Sequence, residues 1–189
     1  MFPKKNKGFT LIELMVSITV FSVVMLSSMG AVMTVLNANR KSESLRSVMD
    51  NLSFTLDTMT RTIRFGSTYH CGASGNLSLP KDCDGSSGDN NSLTVQDSDG
   101  NQVTFSLVTV AGVGQIMRTI NSGVALPMTS PDVNIQSFSF WVFGTTPYSS
   151  GNLLQPKVIV LVKGFVAGVN MTDSSFILQT TISQRKLDL

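Results

Sequence analysis

One apolar run near the N-terminus limits the possible architecture of this chain more than any other feature. Residues 9–36 contain a single ionisable side chain, Glu13. About 20 apolar residues are enough for a helix to cross the roughly 30 Å hydrocarbon core of a bilayer. A helix of this kind satisfies its backbone hydrogen bonds internally, so the run predicts one membrane-spanning helix rather than strands.

The charges that flank this run predict its direction. Lys4, Lys5 and Lys7 precede it, and cytoplasmic flanks are enriched in positive charge, so we expect the N-terminus inside and the residues after 36 outside. A removable secretory signal is the alternative. However, its apolar core is usually about 7–15 residues long, and no Ala-x-Ala follows this longer run. A cut after Gly8 would leave the run on the mature chain, with Phe9 first.

Glu13 is the feature that a plain membrane anchor does not explain. A carboxylate inside a membrane helix costs about 2.5–3.5 kcal/mol on insertion scales, and such groups are usually paired. The run itself contains no cation. The partner must therefore be Lys7, an amine created by cleavage, or a group on a neighbouring chain.

The residues from Lys4 to Val16, K-K-N-K-G-F-T-L-I-E-L-M-V, resemble the class III signal of type IV pilins and type II secretion pseudopilins. The resemblance implies that a prepilin peptidase cuts after Gly8 and that the new amine of Phe9 is methylated. It also implies that Glu13 pairs with the N-terminal amine of an adjacent subunit, and that an inner-membrane assembly platform is a partner.

Gly30 departs from the family, since many major pilins carry a proline there. Glycine weakens a helix by about 1 kcal/mol, so local melting is possible at this position.

Residues 37–65 continue the helix with an amphipathic pattern. Their apolar side chains follow one another at steps of three or four, which places them on one face. Gly66 is the expected C-terminal cap, with Arg61 and Arg64 in the last turn. The members of the stripe are Leu45, Val48, Met49, Leu52, Leu56, Met59 and Ile63.

Residues 66–91 are rich in Gly, Ser, Asn and Asp and are predicted to form a loop. Cys71 and Cys83 lie in it, and an even cysteine count outside the cytoplasm favours a disulfide over two free thiols. His70 is expected to be a solvated loop residue. It is the only histidine, so a Ser-His-Asp catalytic set has little support, and we expect no catalytic residues, metal site or cofactor.

Two acidic clusters are weak candidates for calcium ligands. The first is Asp82-x-Asp84-Gly85 with Asp89 and Asn90, and the second is Asp97-x-Asp99-Gly100-Asn101. Neither supplies a complete loop with a closing glutamate, and the second also fits a turn between two strands.

From Ser92 onward the apolar residues alternate with polar ones, which is typical of strands. Short breaks between the strands favour antiparallel pairing. The predicted fold class is therefore α+β, with one very long N-terminal helix packed on a mostly antiparallel sheet. The expected strands lie near 92–96, 102–110, 114–120, 134–143, 157–166 and 175–184.

These patterns divide the chain into a cytoplasmic leader, 1–8, a membrane helix, 9–36, an amphipathic helix, 37–65, and an extracytoplasmic head, 66–189. The net charge of +2 offers no basic field for nucleic-acid binding.

The strand spacing near the C-terminus and the Arg61-x-x-Arg64 helix end resemble the J-type and W-type minor subunits. This resemblance implies a non-enzymatic minor subunit that associates with other minor and major pilins or pseudopilins. A major filament subunit, or a membrane-anchored binding protein that never polymerises, remains the alternative.

Overall fold

The structure is a computed structural model that describes residues 8–84, 89–166 and 174–185. It divides into two compact units, Met1–Glu43 and Ser44–Leu189. One helix, α1 (Leu11–Phe65), contributes residues to both units. The predicted leader, residues 1–8, lies outside the described residues except for Gly8.

The first unit contains the apolar part of α1, and its bulky side chains are exposed over residues 11–36. This part of α1 is long and apolar enough to cross a membrane. Its hydroxyl groups bond to the preceding turn, as in the 2.7 Å bond from Ser17 Oγ to the Glu13 carbonyl and the 3.0 Å bond from Thr34 Oγ1 to the Gly30 carbonyl. The helix continues through Gly30, so the possible melting there is absent from the structure.

In the second unit, the predicted apolar stripe of α1 packs into the core. Val48, Leu52, Met59 and Ile63 are buried, Leu45 and Leu56 are partly buried, and Met49 is 37% exposed at the edge of the stripe. The prediction missed Thr55, which is fully buried on this face. Its hydroxyl lies 2.8 Å from the Met128 carbonyl oxygen, so the one polar group in the stripe is satisfied.

Gly66 ends α1 as predicted. The structural reason for a glycine at this position is the lack of space for a side chain. A Cβ at Gly66 would lie 2.5 Å from Val95 Cγ2 and 2.6 Å from the Gln96 carbonyl oxygen. The glycine is therefore required because a strand approaches closely, and its φ lies outside the left-handed region.

Two antiparallel sheets follow the helix. The first has the order β1-β2-β3-β4-β5, and the second has the order β6-β7-β8. A single turn of 3-10 helix, Tyr148–Ser150, lies between β6 and β7. The strands are β1 (Ser67–Cys71), β2 (Ser92–Gln96), β3 (Gln102–Val110), β4 (Val113–Ile120), β5 (Leu126–Pro127), β6 (Val133–Phe143), β7 (Lys157–Val166) and β8 (Ser174–Ser183).

The α+β fold class and all six predicted strands are confirmed, with ends within one residue of those expected. The prediction was wrong at β1, which occupies the start of the predicted loop, and it missed the two-residue strand β5. β1 forms because Tyr69 and Cys71 are buried and its backbone pairs with β2, which begins 21 positions after the end of β1. Between the last two predicted strands, residues 167–173 lie outside the described residues.

The segment that ends at Cys83 connects the two sheets. On one side, Cys71 N–H donates to the Lys81 carbonyl at 3.0 Å, and Lys81 N–H donates to the Tyr69 carbonyl at 3.1 Å. On the other side, Cys83 and Val142 exchange two backbone hydrogen bonds, of 3.0 and 2.8 Å. Residues 81–83 therefore pair with β1 and with β6.

Both sheets and the second half of α1 contribute to one apolar core. The β6 side chains Phe138, Phe140 and Val142 point into it, and the rings of Phe138 and Phe140 meet edge to face at 4.6 Å. Trp141 and Phe143 lie on the opposite face, as the alternation predicts, where Trp141 is half-buried and Phe143 is 37% exposed.

Candidate functional site

The segment around Gly8 and Phe9 precedes the regular helix. Residues 8–10 adopt no regular secondary structure, and α1 begins at Leu11. The Phe9 side chain is 78% exposed. The peptide bond between Gly8 and Phe9 therefore lies outside the helical hydrogen-bond ladder, in backbone that another protein could approach.

The fold itself gives no reason for a glycine at position 8. Among the described residues beyond its chain neighbours, no heavy atom lies within 4 Å of a Cβ built at Gly8, and the φ of Gly8 lies outside the left-handed region. Alanine would fit this position without strain. If glycine is required here, the requirement therefore comes from a molecule that recognises the segment.

Thr10 and Glu13 form a reciprocal contact at the start of α1. The Thr10 backbone N–H and hydroxyl each lie 3.4 Å from Glu13 Oε2, and the Glu13 N–H lies 3.4 Å from Thr10 Oγ1. The Leu14 N–H donates to the Thr10 carbonyl at 3.2 Å, which makes Thr10 the N-cap residue. This is a capping box, in which Glu13 also interacts favourably with the positive end of the helix dipole.

Glu13 has no cation close to it within the described part of the first unit. The nearest described basic residue along the chain is Arg40, 27 positions later, which is roughly 40 Å along a helix. Lys7, one of the three predicted partners, lies outside the described residues. The other two predicted partners are an amine created by cleavage and a group on another chain.

The prediction that His70 is a solvated loop residue was wrong. His70 lies on β1 and is only 4% exposed. Its Nδ1 lies 2.6 Å from the Leu79 carbonyl oxygen, and its Nε2 lies 2.6 Å from Ser74 Oγ. Because a carbonyl only accepts, Nδ1 donates, and in the neutral ring Nε2 accepts from the Ser74 hydroxyl. His70 thus holds two points of the loop against β1.

The predicted disulfide is present, with Cα atoms of Cys71 and Cys83 5.9 Å apart. Both cysteines are buried. The bond closes the loop whose last residues join the two sheets. This places the disulfide in the head as a structural cross-link, remote in sequence from the segment around Gly8.

The two acidic clusters serve as backbone anchors. Asp97 Oδ1 accepts from Asp99 N–H at 2.9 Å and from Asn101 N–H at 2.8 Å, so the second cluster forms the turn between β2 and β3. In the first cluster, Asp82 bonds to the backbone after β6, while Gly85 lies outside the described residues. Within 8–84, 89–166 and 174–185, no three metal-ligating side chains come together.

Asp89 has the clearest electrostatic perturbation in the head. The hydrogen bond from Ala73 N–H and the hydrogen bond from Lys81, 3.2 Å each, hold the pKa of Asp89 below its usual value of 3.8. Gly72 makes room for this carboxylate, since a Cβ there would lie 2.5 Å from Asp89 Oδ2. The Lys81–Asp89 pair is half-exposed and its role is to fix the loop.

The comparison with protein families bears on the N-terminal segment. The family model described as the prokaryotic N-terminal methylation motif matches residues 3–29. This match supports a type IV pilin-like protein. Its range includes Gly8, Phe9, Thr10 and Glu13, and it fits a membrane-anchored chain with one apolar helix. Neither the curated proteins nor the solved structures gave a match.

Sequence reasoning missed the part played by Thr10, although the signal was present. The sequence Thr10-Leu11-Ile12-Glu13 has the T-x-x-E spacing of a capping box. The hydrogen-bond donors that Glu13 has in the structure are the neutral groups of Thr10, whereas the predicted partner was a cation.

Proposed function

We propose that this chain is a minor pilin or pseudopilin, a structural subunit and not an enzyme. A prepilin peptidase removes the leader after Gly8, and the amine of Phe9 is then methylated. The processed chain enters a helical filament through α1. The single observation that carries the proposal is the methylation motif over residues 3–29, with Glu13 as the one ionisable side chain of residues 9–36.

The contacts of Glu13 support this proposal. Its carboxylate lies next to Thr10 N–H, one residue after the bond that the peptidase would cut. The described chain supplies no cation there, whereas cleavage would create one on residue 9 of every copy. An amine from an adjacent subunit would neutralise Glu13 inside the bilayer, where an unpaired carboxylate is costly.

Gly8 supports the cleavage step. Because the described structure would accommodate alanine at position 8, recognition by a peptidase is the reason we assign to the glycine. Residues 1–8 would then be a cytoplasmic leader, 9–36 the membrane and assembly helix, 37–65 the amphipathic helix, and 66–189 a head outside the inner membrane.

The minor role is proposed from the resemblance to the J-type and W-type subunits. In that role the chain would join other minor subunits, with the assembly platform, to prime a type IV pilus or type II secretion pseudopilus or to cap its tip. The candidate that remains beside it in the same family is a major subunit, and its abundance in purified filaments would distinguish the two.

The test is N-terminal sequencing and intact-mass measurement of the full chain extracted from membranes. The expected mature chain begins at a methylated Phe9 and gains two hydrogens on reduction of the disulfide. Gly8→Ala is expected to keep the leader, although nothing in the fold opposes the new methyl group. A matched control is Gly30→Ala, which also adds a methyl group in open space at a position whose φ lies outside the left-handed region.

A wild-type chain that still begins at Met1 would contradict the proposal. It would favour the plain membrane-anchored binding protein, in which Glu13 has no partner amine. A Gly8→Ala chain that is processed like the wild type would show that the peptidase does not depend on this glycine.

A further inference from the structure

We propose that the outer edge of β8 is a docking site for an extended segment of another protein, which adds a fourth strand to the β6-β7-β8 sheet. The segment that fits this edge is uncharged in its middle and carries an acidic residue at each end. The inference concerns the head and goes beyond the proposed function, because it depends on neither cleavage nor methylation.

The hydrogen bonds at the end of β8 show which of its backbone groups face away from β7. Gln184 N–H donates to the Pro156 carbonyl at 3.0 Å, in register with the pairing of β7 and β8. Hydrogen-bonded and non-hydrogen-bonded positions alternate along antiparallel strands, so the odd-numbered residues of β8 direct their N–H and C=O groups away from β7. Arg185 follows this alternation, since its N–H donates away from β7 to the Arg64 carbonyl at 2.8 Å.

Five residues of β8 form this outer edge, and the side chains of all five are exposed. Within the described part of the chain, their outward backbone groups have no hydrogen-bond partner. Sheet edges are usually protected by charged residues, prolines or bulges, and this edge contains none of them. It is therefore open to pairing with another strand. The five residues are Ser175, Ile177, Gln179, Thr181 and Ser183.

The other sheet edges among the described strands are short or bonded. β5 has two residues and ends at Pro127. β1 exchanges backbone hydrogen bonds with Lys81, and β6 exchanges two with Cys83 at Val142. β8 differs from these strands because it runs for 10 residues at the end of its sheet. In strand addition, such an edge supplies the main-chain hydrogen bonds that give affinity.

The charges near this edge indicate the chemistry of the partner. Lys157 and Lys163 are exposed on β7, and no other charged residue occurs in β6, β7 or β8. They lie opposite Ser183 and Ile177. A strand added beside β8 would be two strand spacings from both lysines, roughly 10 Å, where attraction between opposite charges is only partly screened. Acidic residues with the same spacing as the lysines would therefore favour docking.

A cavity at the Ser183 end of the edge favours glutamate as one of these acidic residues. Phe143 and Leu154 supply apolar surface to the cavity, and Lys157 supplies a cation. A glutamate has an apolar stem and a carboxylate, so it matches both. Side-chain pockets of this kind give strand addition its specificity. The cavity has a volume of about 380 Å³ and is lined by Phe143, Leu154, Gln155, Lys157 and Ser183.

The test uses the full chain in detergent and two synthetic peptides, E-T-V-T-V-T-E and K-T-V-T-V-T-K. The glutamates of the first peptide have the same spacing as Lys157 and Lys163, and the second peptide reverses their charge. Residue-resolved hydrogen exchange, read by mass spectrometry, follows each N–H group of β8. Gln179→Lys places a charge on the edge, whereas Gln179→Thr keeps the edge uncharged. Ser98→Lys is the matched control, because it adds the same charge in the exposed turn between β2 and β3.

Without peptide, we expect the N–H groups of the five outer-edge residues to exchange faster than those of the even-numbered residues, which bond to β7. The acidic peptide should slow exchange at the outer edge at least about tenfold, as one added backbone hydrogen bond would do. The basic peptide should slow it less. Gln179→Lys should abolish the slowing, whereas Gln179→Thr and Ser98→Lys should retain it.

The inference is overturned if the acidic peptide leaves exchange at the outer edge unchanged, or if the basic peptide slows it equally. Slow exchange at these positions before any peptide is added would also overturn it. If that protection rises with protein concentration, the occupant of the edge is a second copy of the chain. Failure of the proposed function looks different, because a chain that keeps Met1 still carries the same β8 edge.

Discussion

The Asp82 carboxylate holds the backbone that follows β6, 62 residues further along the chain. Oδ2 accepts from Gly144 N–H at 3.1 Å, and Oδ1 accepts from Thr145 N–H at 2.8 Å. Asp82 belongs to the segment that joins the two sheets. Its neighbour Cys83 pairs with Val142, which lies next to the two N–H groups that Asp82 accepts from. One side chain therefore fixes the position of the β6 end relative to the disulfide loop.

Replacing Asp82 with alanine should destabilise the head by about 1–3 kcal/mol. The physical reason is that two N–H groups, both on buried residues, would lose their acceptors. Urea unfolding of the full chain in detergent, followed by the fluorescence of Trp141, measures the change. Asp57→Ala is the matched control, because Asp57 is exposed on α1, and it should change the midpoint little. Equal midpoints for the two variants would contradict this role for Asp82.

Loss of the disulfide should cost about 3 kcal/mol. The bond closes a loop between residues 12 positions apart, and such a bond restricts the unfolded chain. The double variant Cys71→Ser, Cys83→Ser and the reduced wild type should both unfold at lower urea than the oxidised wild type. Reduction should not change the double variant, which is the internal control. An oxidised wild type no more stable than the reduced form would show that the pairing of residues 81–83 suffices without the bond.

The sequence predicted the elements whose signals are local. β3 alternates apolar and polar residues over its first six positions, and β7 is an apolar run in which the buried positions alternate. α1 carries a stripe at helical spacing, so short windows identified all three elements. The capping box of Thr10 and Glu13 is equally local and could have been predicted from its spacing.

The elements that escaped prediction depend on partners distant in sequence. β1 has only five residues in a segment rich in turn formers, and it becomes a strand because β2 and Lys81 bond to its two edges. His70 is buried for the same reason, since the loop that covers it folds back from residues 74 to 79. Such contacts are set by tertiary structure, which local composition does not reveal.

The burial of one face of α1 predicts that two residues close together in sequence contribute very differently to the free energy of unfolding. Leu52 is fully buried and Phe54 is 71% exposed. Leu52→Ala should therefore lower the free energy of unfolding by about 2–5 kcal/mol, because it leaves a cavity between the helix and the sheets. Phe54→Ala should change it by no more than about 0.5 kcal/mol. Thermal unfolding of both variants in the same detergent makes the comparison, and a larger loss for Phe54→Ala would mean that the helix packs on another face.

The lowered pKa of Asp89 predicts how the stability of the head depends on pH. Its pKa is lowered in the folded state, first by the Ala73 N–H bond and then by Lys81. In the pH range between the lowered folded value and the unfolded value near 3.8, the unfolded chain binds more protons, so stability falls as pH falls. The contribution is fully present above that range and is lost below it. Asp89→Asn removes it at all pH values.

The measurement is the gap in urea midpoint between wild type and Asp89→Asn, taken at about pH 6 and again at about pH 3. We expect a gap at the higher pH that narrows at the lower one, because at pH values below 3.8 the unfolded chain binds a proton on this carboxylate more readily than the folded chain does. Asp99→Asn, in the exposed turn between β2 and β3, should follow the wild type at both values. A gap of the same size at both pH values would contradict the assignment, because it would mean that Asp89 acts through its shape and not through its charge.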